Sequence, residues 1–406
     1  MHSRTPARAA RWALFVGGLV LPAWLWPHGW MLGYLAQTAA LVVLALSYNL
    51  QLGTTGLLSF GHAAFAGLGA FAAAHWFNRF GGPLPLLPLV GGVAGAGFGW
   101  LFGLVATRRA GTAFAMITLG LGECVAAAAW SAPAWFGGIG GVTIDRASGT
   151  VWGRWHFGAP GEAYAVIAVW CVASALAMRA LTRTPLARLA NAVRDNPARV
   201  AALGTDPRHV RLAMVTCASF FAGVAGTLTL IDVEIATADS VGMARSATVL
   251  IAAVTGGTAS FFGPALGAAV LTFFSVAVAG VSRAWALYLG LLFVVVVVGA
   301  PRGMAGSATD VLHAMRRGGR ERLRMLCAVA ACLCWSVAAV CAAELGYAWR
   351  FAQDEGAQAA LGPWRVDAGA PLGWAVALAA AGVGALLWRV RPRFPGSASD
   401  TRGAGR

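Results

Sequence analysis

The sequence predicts an all-α polytopic membrane protein, a helical bundle of about ten spans with two extra C-terminal spans. Two observations carry this. The chain has 406 residues, is 59% hydrophobic and only 11% charged, and its mean hydropathy is +0.70. A soluble chain of that length cannot hide so much apolar surface, so lipid must be its solvent. Its charge is also laid out in blocks. All 30 basic residues are arginine, against 15 acids, giving a net charge of +15. Most of these arginines fall between apolar runs on what alternation makes a single side.

The elements follow in order. Arg4, Arg8 and Arg11 precede WALFVGGLVLPAWLW, and no small-x-small cleavage site comes after. Residues 1–30 therefore read as a signal-anchor span rather than a cleaved signal. Further apolar runs occupy 32–50, 58–77, 84–106, 112–131, 161–181, 212–231, 245–260, 261–281 and 284–300. A core of 31–306 follows from these. Residues 307–325, including HAMRRGGRERLR, form an Arg-rich cytoplasmic linker, and runs at 326–345 and 371–389 make a two-span appendage over 326–390. The polar tail 391–406 is expected to be disordered and cytoplasmic. With the N-terminus cytoplasmic, Arg108-Arg109, a loop at 182–211, the linker and the tail all lie inside.

Several apolar runs are interrupted by polar residues. Asn49, Gln51, Gly53, Gly56, Ser59, Gly61 and His62 run from the end of one span into the next. Irregular backbone in a membrane survives when buried in protein or lining a watery cavity, so this stretch reads either as a pore-facing break or as a small-residue packing seam. His62 is then either a cap on a broken helix or a proton relay. Glu123, after Thr118-Leu-Gly120-Leu-Gly122, is the acid placed most clearly inside a span; it either attracts a substrate ammonium or ties neighbouring helices. GLLSFGHAAF (56–65) is faintly echoed by GTASFFGPAL (257–266), as internal transporter repeats sometimes are.

The 182–211 loop is the most informative polar segment. Asp195 or Asn196 can cap a short helix with Pro197 in its first turn, and Gly204 can end it in the left-handed conformation. A two-turn helix, ARVAAL, should lie along the membrane face. It serves either as a docking element, with Arg194 and Arg199 meeting acidic rims of a partner, or as an arginine patch on anionic lipid.

Other chemistries are excluded or unsupported. A chain without lysine has no Walker A lysine and no Schiff-base lysine, so no cofactor is expected and ATP would be used by partner chains. No G-x-S-x-G or H-E-x-x-H occurs, so no catalytic residue and no metal ligand is assigned. The seven cysteines lie in apolar runs and read as small core fillers. The arginine positions follow lipid topology rather than a nucleic-acid footprint.

Six stretches resemble the permease subunits of branched-chain amino acid ABC importers, of the LivM type. They are NLQLGTTGLLSFGHAAFAGLGAF (49–71), GTAFAMITLGLGE (111–123), RTPLARLANAVRDNPARVAALG (183–204), AGVAGTL (222–228), VTGGTASFFGPALGAA (254–269) and APRGMAG (300–306). They depart from that pattern at Arg108–Phe114, in a Trp-rich stretch after Gly141, and in the spans beyond 326. The resemblance implies a type II ABC importer-like bundle in a bacterial inner membrane. It implies a second, LivH-like permease subunit, two cytoplasmic ATPase subunits and a periplasmic amino-acid-binding protein as partners. It further implies that Arg194, Asp195, Asn196, Ala201, Ala202, Leu203 and Gly204 couple to the ATPases. Asn49, Gln51, Ser59, His62, Thr118, Glu123 and Thr255 are expected near the transport pathway. The expected cargo is a branched-chain or related hydrophobic amino acid. Alternatives are a permease for urea or short amides, a proton-coupled secondary transporter using His62 or Glu123, and an intramembrane enzyme.

Overall fold

A computed structural model of the protein describes residues 4–150, 156–300, 302–317, 319–351, 358–361, 364–367 and 371–390. Helices α1 (Arg4–Leu25), α2 (Gly29–Thr55), α3 (His62–Phe80), α4 (Leu87–Ala106) and α5 (Thr112–Ser131) come first, followed by the single turn α6 (Pro133–Phe136) and the short strand β1 (Val142–Thr143). Then come α7 (Pro160–Leu181), α8 (Pro185–Asp195), α9 (Pro197–Ala202) and α10 (Pro207–Val233), with β2 (Ile235–Ala236) after it. Helices α11 (Met243–Gly256) and α12 (Gly263–Thr272) follow, the latter running on into a π-helical stretch, Phe273–Val278. The rest is α13 (Trp285–Gly299), α14 (Gly303–Arg317), α15 (Gly319–Phe351), the strands β3 (Gln358–Leu361) and β4 (Trp364–Asp367), and α16 (Pro371–Val390).

Local chemistry sets many of these bounds. Proline opens α7, α8, α9 and α10, where its missing N–H is no loss and its φ suits the first turn. Asp206 accepts from Arg208 N at 2.8 Å at the start of α10. Left-handed glycines, Gly56 and Gly81, close α2 and α3 with their N–H groups on Leu52 O and Phe77 O.

The chain divides into two compact units. The first holds Met1–Phe273 and Val295–Ala305. At its centre α10 packs on α2, α3 and α4, burying Met214, Ala218, Ala222, Ala225 and Leu228. The α4–α10 contact is a seam of small residues: a β-carbon on Gly223 would stand 2.1 Å from Gly91 O, so the two backbones touch. Without a hydrophobic drive between helices in lipid, such close backbone packing is what holds spans together. At one end, β1 and β2 pair antiparallel, Val142 opposite Ala236 and Thr143 opposite Ile235. Beside them Arg146 donates to Ile231 O at 3.1 Å and pairs with Glu234 at 2.7 Å, closing the C-terminus of α10.

The second unit holds Phe274–Val294 and Gly306–Arg406. There α15 packs along α16, β3 pairs with β4, and Glu344 accepts hydrogen bonds from Ser282 and from Tyr288 at 2.5 Å.

Among the described residues, six helices are long and apolar enough to cross a membrane, or seven if the bent pair 285–309 counts as one. Twelve apolar runs were legible in the sequence, so several runs form something shorter. Ala9–Leu25, Met243–Gly256, Gly263–Val278 and Gly373–Leu387 are apolar helices of 10–17 residues. Helix α3 spans 19 residues but carries His62, His75, Asn78 and Arg79. Residues 62–74 are almost all buried among other helices, while Asn78 and Arg79 stand exposed at its end.

The compact units also differ from the segment boundaries read from sequence. Helix α1 belongs to the first unit, where Trp12 meets Phe262 edge-on at 5.0 Å, while 274–294 groups with the residues beyond 305. The tail 391–406 and the tryptophans at 152 and 155 lie outside the described residues. The cysteines are not uniformly core fillers: Cys171 and Cys341 are buried, but Cys124 and Cys332 are exposed, as lipid-facing helix positions allow.

Candidate functional site

Between α2 and α3 the chain leaves helix for residues 56–61, and polar groups collect around the gap. Ser47 Oγ donates to Leu44 O and stands 2.9 Å from His62 Nε2. With the hydroxyl proton on Leu44 O, an imidazole protonated on Nε2 would donate to Ser47. Tyr48 donates to Ser59 O at 3.1 Å and meets the His62 ring edge-on at 5.2 Å. Gln51 Nε2 donates to Leu57 O at 3.3 Å. These are long-range substitutes for the ladder that the break interrupts.

Two neighbouring helices close the gap. From α5, Thr118 Oγ1 donates to Ala115 O at 2.9 Å and accepts from Phe60 N at 3.3 Å. Gly61 lies so close that a β-carbon on it would be 2.2 Å from Thr118 O. From α11, Ser246 Oγ accepts from Ala63 N at 3.1 Å and so caps α3 across the fold. The end of α2 also approaches the second break, 257–262, since a β-carbon on Gly53 would lie 3.5 Å from Thr258 O.

Asn49 Oδ1, Gln51 Oε1, Ser59 Oγ, His62 Nδ1 and Ser260 Oγ are buried without a hydrogen-bond partner. Unmet polar atoms in such number are uncommon in a sealed core and fit a place where a guest or water enters. Asn49 Oδ1 and Gln51 Oε1 are acceptors, as His62 Nδ1 is when Nε2 carries the proton, so the gap can receive a hydrogen-bond donor.

Of the residues expected near a pathway, Asn49, Gln51, Ser59, His62 and Thr118 meet here. Thr255 is buried on α11 and returns its hydroxyl to Ile251 O at 2.6 Å within its own helix. Glu123 is exposed on α5, although its neighbour Gly122 packs on Gly61. Sequence reasoning missed Ser47, Tyr48 and Ser246. The first two sit in the polar run Ser-Tyr-Asn-Leu-Gln and were findable. Ser246 was not, because its partner lies 183 residues away.

The surface element α8–α9 stands beside this break. Ala187, Ala190 and Val193 form the buried stripe of α8, and Val200 anchors α9. Asn196, not Asp195, caps α9 by accepting from Arg199 N at 2.9 Å. Gly204 adopts φ +86°, and Ala201, Ala202 and Leu203 are exposed, Leu203 by 80%. Arg194, half exposed, donates through Nη1 to Gly53 O in the last turn of α2 at 2.6 Å.

At the opposite end of α2 a cavity of about 180 Å³ is lined by Gly33, Ala36, Arg146, Tyr164 and Asp232 among others. Among the described residues no group of three or more His, Cys, Asp or Glu could hold a metal ion.

Residues 30–298 match the family of branched-chain amino acid transport system permease components. The chain belongs to this family. It is 29% identical over 316 residues to the high-affinity branched-chain amino acid transport system permease protein LivM of Salmonella typhimurium (strain LT2), an alignment covering 72% of this chain and 74% of that protein. The LivM protein of Escherichia coli (strain K12) matches at the same identity and coverage. No solved structure matches. As a permease component the chain is a multi-pass transport subunit rather than an enzyme. The family match takes in both breaks and the α8–α9 element, and leaves out α1 and α14 to α16.

Proposed function

We propose that this permease is the membrane subunit of an ATP-driven importer for branched-chain or related hydrophobic amino acids. It lies in a bacterial inner membrane with its N-terminus cytoplasmic. Two ATPase chains work it from the cytoplasm, a second permease subunit completes the pathway, and a periplasmic binding protein delivers the cargo. The observation that carries this reading is the α8–α9 element, which exposes Leu203 and its alanines outward and is tied inward to a broken span. A small apolar face with a charged surround fits a groove on a partner. Movement of that element by the ATPases would expose the break at Asn49–His62 to each side in turn. The donor-seeking atoms there suit the α-ammonium of an amino acid, while selectivity for the side chain rests with the binding protein.

The test is co-expression with ATPase, second-permease and binding-protein chains of such an importer, followed by purification and reconstitution. Leu203→Glu should leave the chain inserted and as stable as wild type, yet lower ATPase co-purification and uptake at least ~10-fold, as loss of an apolar anchor at an interface centre does. Unchanged association in that variant would remove α8–α9 as the docking surface. A proton-coupled carrier is the competing reading. Concentration of an amino acid by the isolated chain, driven by a pH gradient without nucleotide, would establish it instead.

A further inference from the structure

Arg194 joins the surface element to the broken span. Its Nη1 reaches Gly53 O across 141 residues of sequence. Nε and Nη2 both face Asp195 Oδ1 at 3.3 Å, which sets the plane of the guanidinium. The aliphatic stem lies along the turn, so that a β-carbon on Gly56 would stand 3.0 Å from Cγ of Arg194. Gly53 belongs to the last turn of α2, where carbonyls have no partner further along the helix and carry the negative end of its dipole. One turn back is Asn49, whose Oδ1 would be 2.8 Å from a β-carbon on Gly53, and two residues back is Gln51, which holds Leu57 across the gap. On its other side Arg194 is two residues from Asn196, the cap of α9.

We propose that Arg194 is a positioning residue that transmits displacement of α8–α9 to the α2–α3 break. The idea rests on the reading of α8–α9 as the element that the ATPases move. A charged, short hydrogen bond between two separate elements resists stretching, so a shift of α8 must carry the end of α2 with it or release it. Stability alone does not require this bond. The side chain of Arg194 is 46% exposed, so water can reach Gly53 O when the guanidinium is removed. Nor does the pair with Asp195 add much, since both partners are exposed. What the arginine adds is a direct mechanical connection from a surface helix to the buried polar groups at Asn49 and Gln51.

The test compares wild type, Arg194→Ala and Arg194→Lys in the reconstituted complex. Uptake, ATP hydrolysis and hydrogen–deuterium exchange of the 53–61 amides are measured together. Whatever its rate of hydrolysis, Arg194→Ala should move about tenfold less substrate per ATP hydrolysed, the loss expected when one charged hydrogen bond no longer couples two elements. Exchange at 53–61 should rise, and Arg194→Lys, which keeps one donor for Gly53 O, should recover part of both. An assembled Arg194→Ala complex with the wild-type ratio of uptake to hydrolysis overturns the proposal. So does a fall in uptake matched by an equal fall in hydrolysis, which would make Arg194 a docking residue only. If Arg194→Ala does not assemble, unchanged 53–61 exchange in Arg194→Lys overturns it. A wild-type complex that couples no uptake to hydrolysis would instead defeat the importer reading on which this one stands.

Discussion

Ser47 and His62 show how tightly single side chains are committed at the break. Both are fully buried, and each supplies the other's partner at 2.9 Å. Ser47→Ala should destabilise the protein by about 1 kcal/mol, because it leaves His62 Nε2 buried and unpaired. Adding His62→Leu to that variant should recover most of the loss, since removing both partners leaves no orphan; thermal unfolding in detergent would show whether it does. Gly61→Ala should be worse. Its β-carbon would press on Thr118 O and push α3 off α5, with a loss of about 1–3 kcal/mol for overpacking. A Gly61→Ala protein that melts with wild type would mean that the helices can part freely there. Residue-scale features were unevenly legible. Asn49, Gln51, Ser59 and His62 stood out as polar groups in an apolar field. Glu123 stood out equally, yet its helix turns it outward while Gly122 faces the break, a difference of one position that only rotation about α5 decides.

The α8–α9 element was the most legible feature of intermediate size. Pro197 in the first turn and Gly204 beyond the last are short-range signals, and the helix Pro197–Ala202 follows from them. Which residue caps it was open between Asp195 and Asn196, because both are competent and adjacent; the bend between α8 and α9 turns Asn196 onto Arg199 N. Asn196→Ala should lower the stability of α9 by about 1 kcal/mol, which should appear as faster deuterium exchange over 197–203 with the rest of the chain unaffected. Arg194, half exposed, also reaches Gly53 O in the last turn of α2, which no sequence pattern marks. Its partner is a backbone carbonyl, and a carbonyl carries no signature in a sequence.

The absence of lysine gives the whole molecule a clean topological test. Arg188 on α8 and Arg79 at the end of α3 are both exposed. Apart from the N-terminal amine, a single lysine introduced at either place is the one site for an impermeant amine reagent. Arg188→Lys should label only in inverted vesicles and Arg79→Lys only in right-side-out ones, as the arginine distribution requires. Labelling of both from one side would break the proposed arrangement. The number of crossings was less legible than their existence. Hydropathy marks a run as apolar, but whether it becomes a full span, as α2 does, or a shorter helix, as α11 and α12 do, depends on where a glycine such as Gly257 breaks it.

The sequence by itself determined that this protein lives in lipid, that it is helical, which permease family it belongs to, and that a capped surface helix interrupts its spans. These follow from composition, charge blocks and motifs a few residues long, all of which act locally. Only the tertiary structure decided that Ser246 caps α3, that Gly61 rests on Thr118, and that Arg194 holds the end of α2. Each joins residues far apart in the chain, and such pairings exist only once helix rotation and close packing have brought the backbones together.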